Sequence, residues 1–376
     1  MRSLILLLAS NSFLPNLVTA CGTTVHETIA RLALRFALPE TVEWLNKLLP
    51  DKGSTDAGMA FISTWPDGYA HQCVDGLWTK GFHFMDAHDE ATKHPHLACS
   101  ARNCDECVTY IIQLPRKDRH QDHDVVCAQQ ASSGEKRDPK SFQNSIQAHA
   151  FQTAGFPPLH LETLTDAEFA IRFVVHLIGD IHQPLHTTGY ELGEIIKPVY
   201  FNKKEINLHD AWDTEIPETI FKRLLGGTEG VVDYLYQHAK TMDKSSNVWK
   251  NEWVGECFEG IEDEVAVFQK ITFNRAEVCA LQWARWANHY ICTYVLQYGL
   301  DTVGMELGGE YTNKAEPIIV ELVSMAGWKL GGWLNLLATQ KLGLDLGPVK
   351  EGVEEEVGED DHYRGAYTIV PGHDEL

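Results

Sequence analysis

The chain has 376 residues, with 53 acidic side chains against 31 basic ones and a formal net charge of −22. That balance excludes a protein that grips nucleic acid through a basic footprint. If such a chain handles phosphates, bound metal cations must supply the attraction locally.

In chain order, Arg2, an apolar run over 4–8 and Leu17-Val18-Thr19-Ala20 read as a secretory signal over residues 1–20, cut before Cys21. Polar Ser10, Asn11 and Ser12 interrupt a segment already too short for a membrane anchor, so no stable membrane insertion is expected. Val18-Thr19-Ala20-Cys21 also resembles a bacterial lipoprotein signal. Helical periodicity follows over 24–38, with apolar Ile29, Leu32, Leu34 and Phe36, and with His26 near the start. Asp67 then appears in Ser63-Thr-Trp-Pro-Asp67, and His83 in Phe82-His83-Phe84-Met85-Asp86. Singly, each has an ordinary reading: Asp67 as a cap or turn residue, His83 as a packed surface histidine.

Residues 113–160 are charged, rich in His and Gln, and carry Pro115, Pro139, Pro157 and Pro158. They read as a long loop or insertion, in which His120, His123 and Asp124 are solvated polar residues rather than ligands. Thr165-Asp166-Ala167-Glu168 is a capping box that opens a helix running toward Asp180. Residues 198–208, with Val199, Tyr200 and Phe201 before Asn202-Lys-Lys, predict a small hairpin. Residues 276–298 and 315–339 predict long amphipathic helices. The tail 343–376 crowds Glu351, Glu354, Glu355, Glu356, Glu359, Asp360 and Asp361 together, a composition that predicts a solvated, flexible segment. It closes on His373-Asp374-Glu375-Leu376, an address read by the retention receptor of the endoplasmic reticulum. That address argues against the lipoprotein reading and for a lumenal protein. Nine cysteines fit that oxidising compartment; with Cys21 set aside, eight allow up to four disulfides whose pairing spacing does not fix. No internal repeat or linker precedes the tail, so a mainly α, single multi-helix domain over 21–342 with a small β-hairpin is expected.

The chemistry concentrates in His176-Leu-Ile-Gly-Asp180-Ile-His182-Gln-Pro-Leu-His186 and in Asn207-Leu-His209-Asp-Ala-Trp-Asp213. Residues four apart share one helix face, so each His-x-x-x-Asp pair can present an imidazole and a carboxylate to one ion. A single such spacing is weak. Two of them close together, one joined to a further His past a helix-ending Pro184, make a strong signal. Imidazole with carboxylate and no thiolate suits catalytic zinc better than a structural cysteine site.

With these motifs the chain resembles the zinc-dependent nuclease and phospholipase C family, above all its single-strand-specific fungal and plant nucleases. The match covers most of 21–340 apart from 113–160, and Trp283-Ala-Arg-Trp-Ala-Asn288 and Ala326-Gly-Trp-Lys-Leu-Gly-Gly-Trp-Leu-Asn335 agree with it. The resemblance implies three zinc ions in a mainly helical domain. One would be held by Asp67, His83, His176 and Asp180, and a second by His186, His209 and Asp213. The third would take His26, Asp180 as a bridge, and the amino and carbonyl groups of Cys21. Asp67 and Asp180 would be catalytic, Phe84 would stack on a nucleobase and Asp86 would accept its hydrogen bonds. His182 is not a ligand in this mapping.

The implied activity is hydrolysis of single-stranded DNA and RNA to 5′-mononucleotides, with 3′-nucleotidase activity alongside, by a monomer. The chain departs from the family pattern at three places. Cys21 stands where Trp is usual, Leu192-Gly193-Glu194 where Gly-Gly-Asn is, and Glu215 where Asn is. The two glutamates add negative charge near the substrate side. A phospholipase C and a lumenal zinc-binding protein without catalysis therefore stand as alternatives.

Overall fold

A computed structural model of the chain describes residues 22–49, 55–72, 74–85, 166–188, 198–224, 226–258, 273–298 and 302–347. The signal segment, Cys21, Asp86, the 113–160 insertion, Thr165 of the capping box, Glu194 and the acidic tail beyond 347 lie outside the described residues. What is described is mainly helical, as the sequence predicts. The principal helices are α1 (Thr23–Phe36), α2 (Pro39–Leu48), α3 (Asp56–Gln72), α4 (Asp166–Asp180), α5 (Ile216–Arg223), α6 (Gly227–Thr241), α7 (Phe273–Tyr290) and α8 (Glu310–Thr339). No helix among the described residues is long and apolar enough to cross a membrane.

The spine is α8, which packs against α1, α2, α4, α5 and α6. A helix apolar almost all round belongs in a core, and α8 buries Ile319, Val320, Leu322, Val323, Met325, Trp328, Leu330, Leu334 and Leu336. Gly327 and Gly331 let α1 lie directly on it. A Cβ on Gly327 would meet Leu32 at 2.5 Å, and one on Gly331 would meet Phe36 at 2.7 Å. α1 stops at Phe36, short of the expected 38, because Leu38 is extended ahead of Pro39, which opens α2. α8 begins at Glu310, five residues before the expected 315, despite an internal Pro317. The helix predicted over 276–298 ends at Tyr290 and widens into a π turn, Ile291–Val295.

The predicted hairpin is present: β1 (Pro198–Phe201) pairs antiparallel with β2 (Lys204–Asn207). Asn202 and Lys203 turn the chain with φ of 49° and 68°, the signs a two-residue hairpin turn needs. Glu306 accepts from both of their N–H groups, at 2.8 and 2.9 Å, which holds a lysine in a region it otherwise avoids. Among the described residues one disulfide forms, Cys257–Cys279. Past residue 342 the chain still packs: Leu344 and Leu346 lie against the core, and the Leu346 carbonyl accepts from Trp249 Nε1 at 2.9 Å.

Beside α8, Trp249, Trp253 and Trp328 form an aromatic block with ring centroids 5.0 to 5.6 Å apart. Lys329 is buried next to it, its Nζ 5.3 Å above the Trp283 ring. Burial and the neighbouring Glu321 push the Glu252 carboxyl up to about 8 from an ordinary 4.5. The folded chain therefore keeps a proton that the unfolded chain releases near pH 4.5, and it loses stability as pH rises from there toward 8. Glu252→Gln, which cannot ionise, should match the wild type at pH 5 and melt a few degrees higher at pH 8. Paired thermal melts at the two pH values check this.

Candidate metal centre

Four separate stretches of chain bring their polar groups to one buried place. α1 supplies His26; α3 and the 3-10 segment that follows it, Val74–His83, supply Asp67 and His83. α4 and the 3-10 turn Pro184–Thr187 supply His176, Asp180 and His186. The one-turn helix Leu208–Asp210 supplies His209, and the π turn Ala211–Glu215 supplies Asp213. All eight are buried, none more than 5% exposed. Such burial of carboxylates and imidazoles demands partners of opposite charge.

Three donor groups form: His26, His176 and Asp180; Asp67, His83 and His176; His186, His209 and Asp213. The two oxygens of Asp180 face different imidazoles. Oδ1 lies 3.2 Å from His26 Nε2, while Oδ2 lies 3.0 Å from His83 Nδ1 and 3.1 Å from His176 Nε2. Asp67 Oδ1 is 3.5 Å from His83 Nδ1 and 3.4 Å from His176 Nε2. In the third group His209 Nε2 is 3.0 Å from Asp213 Oδ2, and His186 Nε2 is 3.5 Å from Asp213 Oδ1.

These spacings fit a metal. Ligand atoms at roughly 2.0–2.1 Å around a tetrahedral zinc stand about 3.3–3.4 Å from one another. His26 Nδ1 and Nε2, Asp67 Oδ1, Asp180 Oδ1 and His186 Nε2 are buried without a hydrogen-bond partner among the described residues. Two imidazoles are also set in tautomer and orientation from behind. His176 Nδ1–H donates to the Ser63 carbonyl at 2.6 Å, and His186 Nδ1–H donates to the His83 carbonyl at 2.8 Å. Each then turns its Nε2 toward the carboxylates, the outer-shell arrangement usual around zinc.

Charge follows the same logic. Burial opposes ionisation of Asp180, yet the His176 and His186 charges hold its carboxyl well below the usual range. Asp213 is likewise held low against burial by His209 and His186. Burial lowers His26, with His176 beside it adding to the effect. His176 goes the other way: burial works against its charge, but Asp180 and Asp67 raise its pKa well above the ordinary value.

Every described residue expected to ligate thus converges here. His182 does not. Its Nδ1–H donates to the Ile178 carbonyl at 2.7 Å, its ring packs 5.8 Å from Trp283, and burial with the nearby Lys329 charge keeps it neutral. Phe84 is half-buried, its ring 4.9 Å from that of His186 and 5.9 Å from that of His209. Cys21 and Asp86 fall outside the described residues, but Gly22 does not. Its N–H donates to the Asp213 carbonyl at 2.8 Å, so the chain directly after Cys21 runs beside the third donor group.

Several supporting groups were not singled out by sequence reasoning. Gly22 is required because a Cβ there would sit 2.5 Å from the Asp213 carbonyl oxygen. Gly179 is required because a Cβ would sit 2.7 Å from His26 Nδ1. A glycine inside a helical pattern was the available hint for the latter. Asn207 caps the helix that carries His209, accepting from Asp210 N–H at 2.6 Å. Asn288 reaches from α7 to hold the Thr187 carbonyl at 2.8 Å.

Comparison with known proteins agrees with this geometry. The S1/P1 Nuclease family profile matches residues 21–339. Nuclease S1 of Aspergillus oryzae is 29% identical over 334 residues, which cover 88% of this chain and 96% of that protein. Nuclease P1 of Penicillium citrinum is 28% identical over 317 residues, covering 84% and 96% respectively. Endonuclease 4 of Arabidopsis thaliana is 26% identical over 322 residues, covering 85% and 90%. With three buried His/Asp donor groups inside a match that spans most of its length, this chain belongs to the S1/P1 nuclease family and is a nuclease.

Proposed function

We propose that the chain is a trinuclear-zinc phosphodiesterase that hydrolyses single-stranded DNA and RNA to 5′-mononucleotides and also removes 3′-phosphates from nucleotides. The observation that carries this reading is the division of Asp180 between two imidazole sets, Oδ1 toward His26 and Oδ2 toward His83 and His176. A carboxylate placed so would serve two ions at once. His186, His209 and Asp213 would hold another, and the ion beside His26 would be completed by the amino and carbonyl groups of Cys21.

Bound zinc supplies the Lewis acidity that makes water a nucleophile near neutral pH and neutralises phosphate charge. The chain's own residues do the rest. Asp67 Oδ1 faces His83 and His176, which leaves its other oxygen to accept a hydrogen bond from the attacking water and orient it. The water oxygen bonds to phosphorus, the P–O3′ bond breaks, and the proton released by water is the one the 3′ oxygen ends with. Phe84, beside His186 and His209, would stack its ring on a base, and Asp86, outside the described residues, would accept the base's hydrogen bonds. Stacking of this kind favours unpaired bases, whose faces are open. The N-terminal signal and the His373-Asp374-Glu375-Leu376 tail support residence in the lumen of the endoplasmic reticulum, with retention by the receptor that reads the tail.

Protein with a native Cys21 terminus should cleave single-stranded RNA, single-stranded DNA and 3′-AMP, lose activity to chelator and regain it with zinc. Asp180→Asn should lower turnover at least about a hundredfold. Hydrolysis of phosphatidylcholine alone would overturn the nuclease substrate, and full zinc content without turnover would overturn catalysis. Gly22→Ala, which displaces the segment behind Cys21, should remove one zinc per chain by elemental analysis and cost roughly tenfold or more in activity.

A further inference from the structure

Gln183 lies between the two halves of one donor group, and no role in the reaction has fallen to it. It is 6% exposed, in the turn between α4 and His186. Its Oε1 accepts from Leu185 N–H at 2.5 Å and so caps the 3-10 turn Pro184–Thr187 that carries His186. Its Nε2–H donates to Asp213 Oδ1, thirty residues away on the π turn. The other Asp213 oxygen, Oδ2, is the one 3.0 Å from His209 Nε2.

We propose that Gln183 is a positioning residue for the ion held by His186, His209 and Asp213. By engaging Oδ1, which also lies 3.5 Å from His186 Nε2, it would favour Oδ2 as the ligating oxygen, and Asp213 would then bind through a single oxygen. By capping the His186 turn with the same amide, it fixes the distance between the two ligand-bearing turns. The turn does not rely on Gln183 alone, because Asn288 holds the Thr187 carbonyl from α7. The specific contribution of Gln183 is therefore the donor aimed at Asp213. Outer-shell groups of this kind typically change metal affinity 10–100-fold.

The inference rests on the reading that zinc occupies this group. It is tested on the full mature chain with two variants. Gln183→Glu keeps an oxygen for Leu185 N–H but replaces the donor facing Asp213 with a second carboxylate oxygen; Gln183→Leu removes both contacts. Zinc per chain is counted, then withdrawn with chelators of graded strength, and the metal-free proteins are melted. Both variants should release one class of zinc at roughly 10–100-fold lower chelator strength while the other zinc is unaffected, whatever the melt of the metal-free proteins. Unchanged or tighter retention in Gln183→Glu overturns the proposal. So does weakening of all zinc alike with a matching fall in the metal-free melt, which is what a purely structural cap would give. A wild-type zinc count untouched by His209→Ala overturns the underlying reading instead, and this inference with it.

Discussion

The carboxylate of Asp180 is the constraint on which the rest of the molecule depends. It is 2% exposed, shared between imidazoles from α1, α4 and the segment after α3, and 3.4 Å from His186 Nδ1 as well. An ionised carboxylate so far from water is tolerable only among positive charge and directed donors. The fold is arranged to provide them. α4 ends at Asp180, α1 crosses so closely that Gly179 cannot bear a side chain, and α3 presents both a carboxylate and a backbone carbonyl to the same helix. Two further carboxylates, Asp67 and Asp213, bring the same demand with them. Against the effect of burial, Asp180 and Asp67 raise the His176 pKa well above its ordinary value. A metal-ligating imidazole must be deprotonated, so affinity for metal is tied to pH.

The centre was legible in the sequence wherever it depends on local spacing. His176 and Asp180 sit one helical turn apart, and their side chains meet as that spacing requires. His209 and Asp213 have the same spacing but lie across a π turn, and their Nε2–Oδ2 contact of 3.0 Å survives the change of helix type. Turns of this kind often mark functional sites, and nothing in five residues of sequence announces one. The hairpin was legible from Asn202, but not the carboxylate of Glu306, a hundred residues on, that stabilises Lys203.

What sequence could not supply is the set of tertiary contacts that fix the ligands. The clearance at Gly22 and Gly179, the carbonyls of Ser63 and His83, and the amides of Gln183 and Asn288 act on partners far along the chain. Single-residue chemistry gives no hint of them, because a glutamine or asparagine in an apolar stretch has many possible partners. The resemblance to a family could assign ligands to positions; it could not say which oxygen of Asp213 is already engaged.

The wide separation of the ligands along the chain has an energetic consequence. His26, Asp67, His83, His176 and His209 lie on segments joined by long stretches, so ions at these groups close large loops. Closing such loops in the unfolded chain carries an entropic cost that grows slowly with length. A metal that binds only the folded arrangement adds its binding free energy to folding. The described disulfide joins Cys257 to Cys279 and ties the aromatic block to α7, away from the donor groups. Among the described residues, stability on the α1–α4 side draws on α8 and on the metal centre together. The buried charges that make the centre reactive are also what make the metal-free fold costly to keep, so catalysis and folding draw on the same ions.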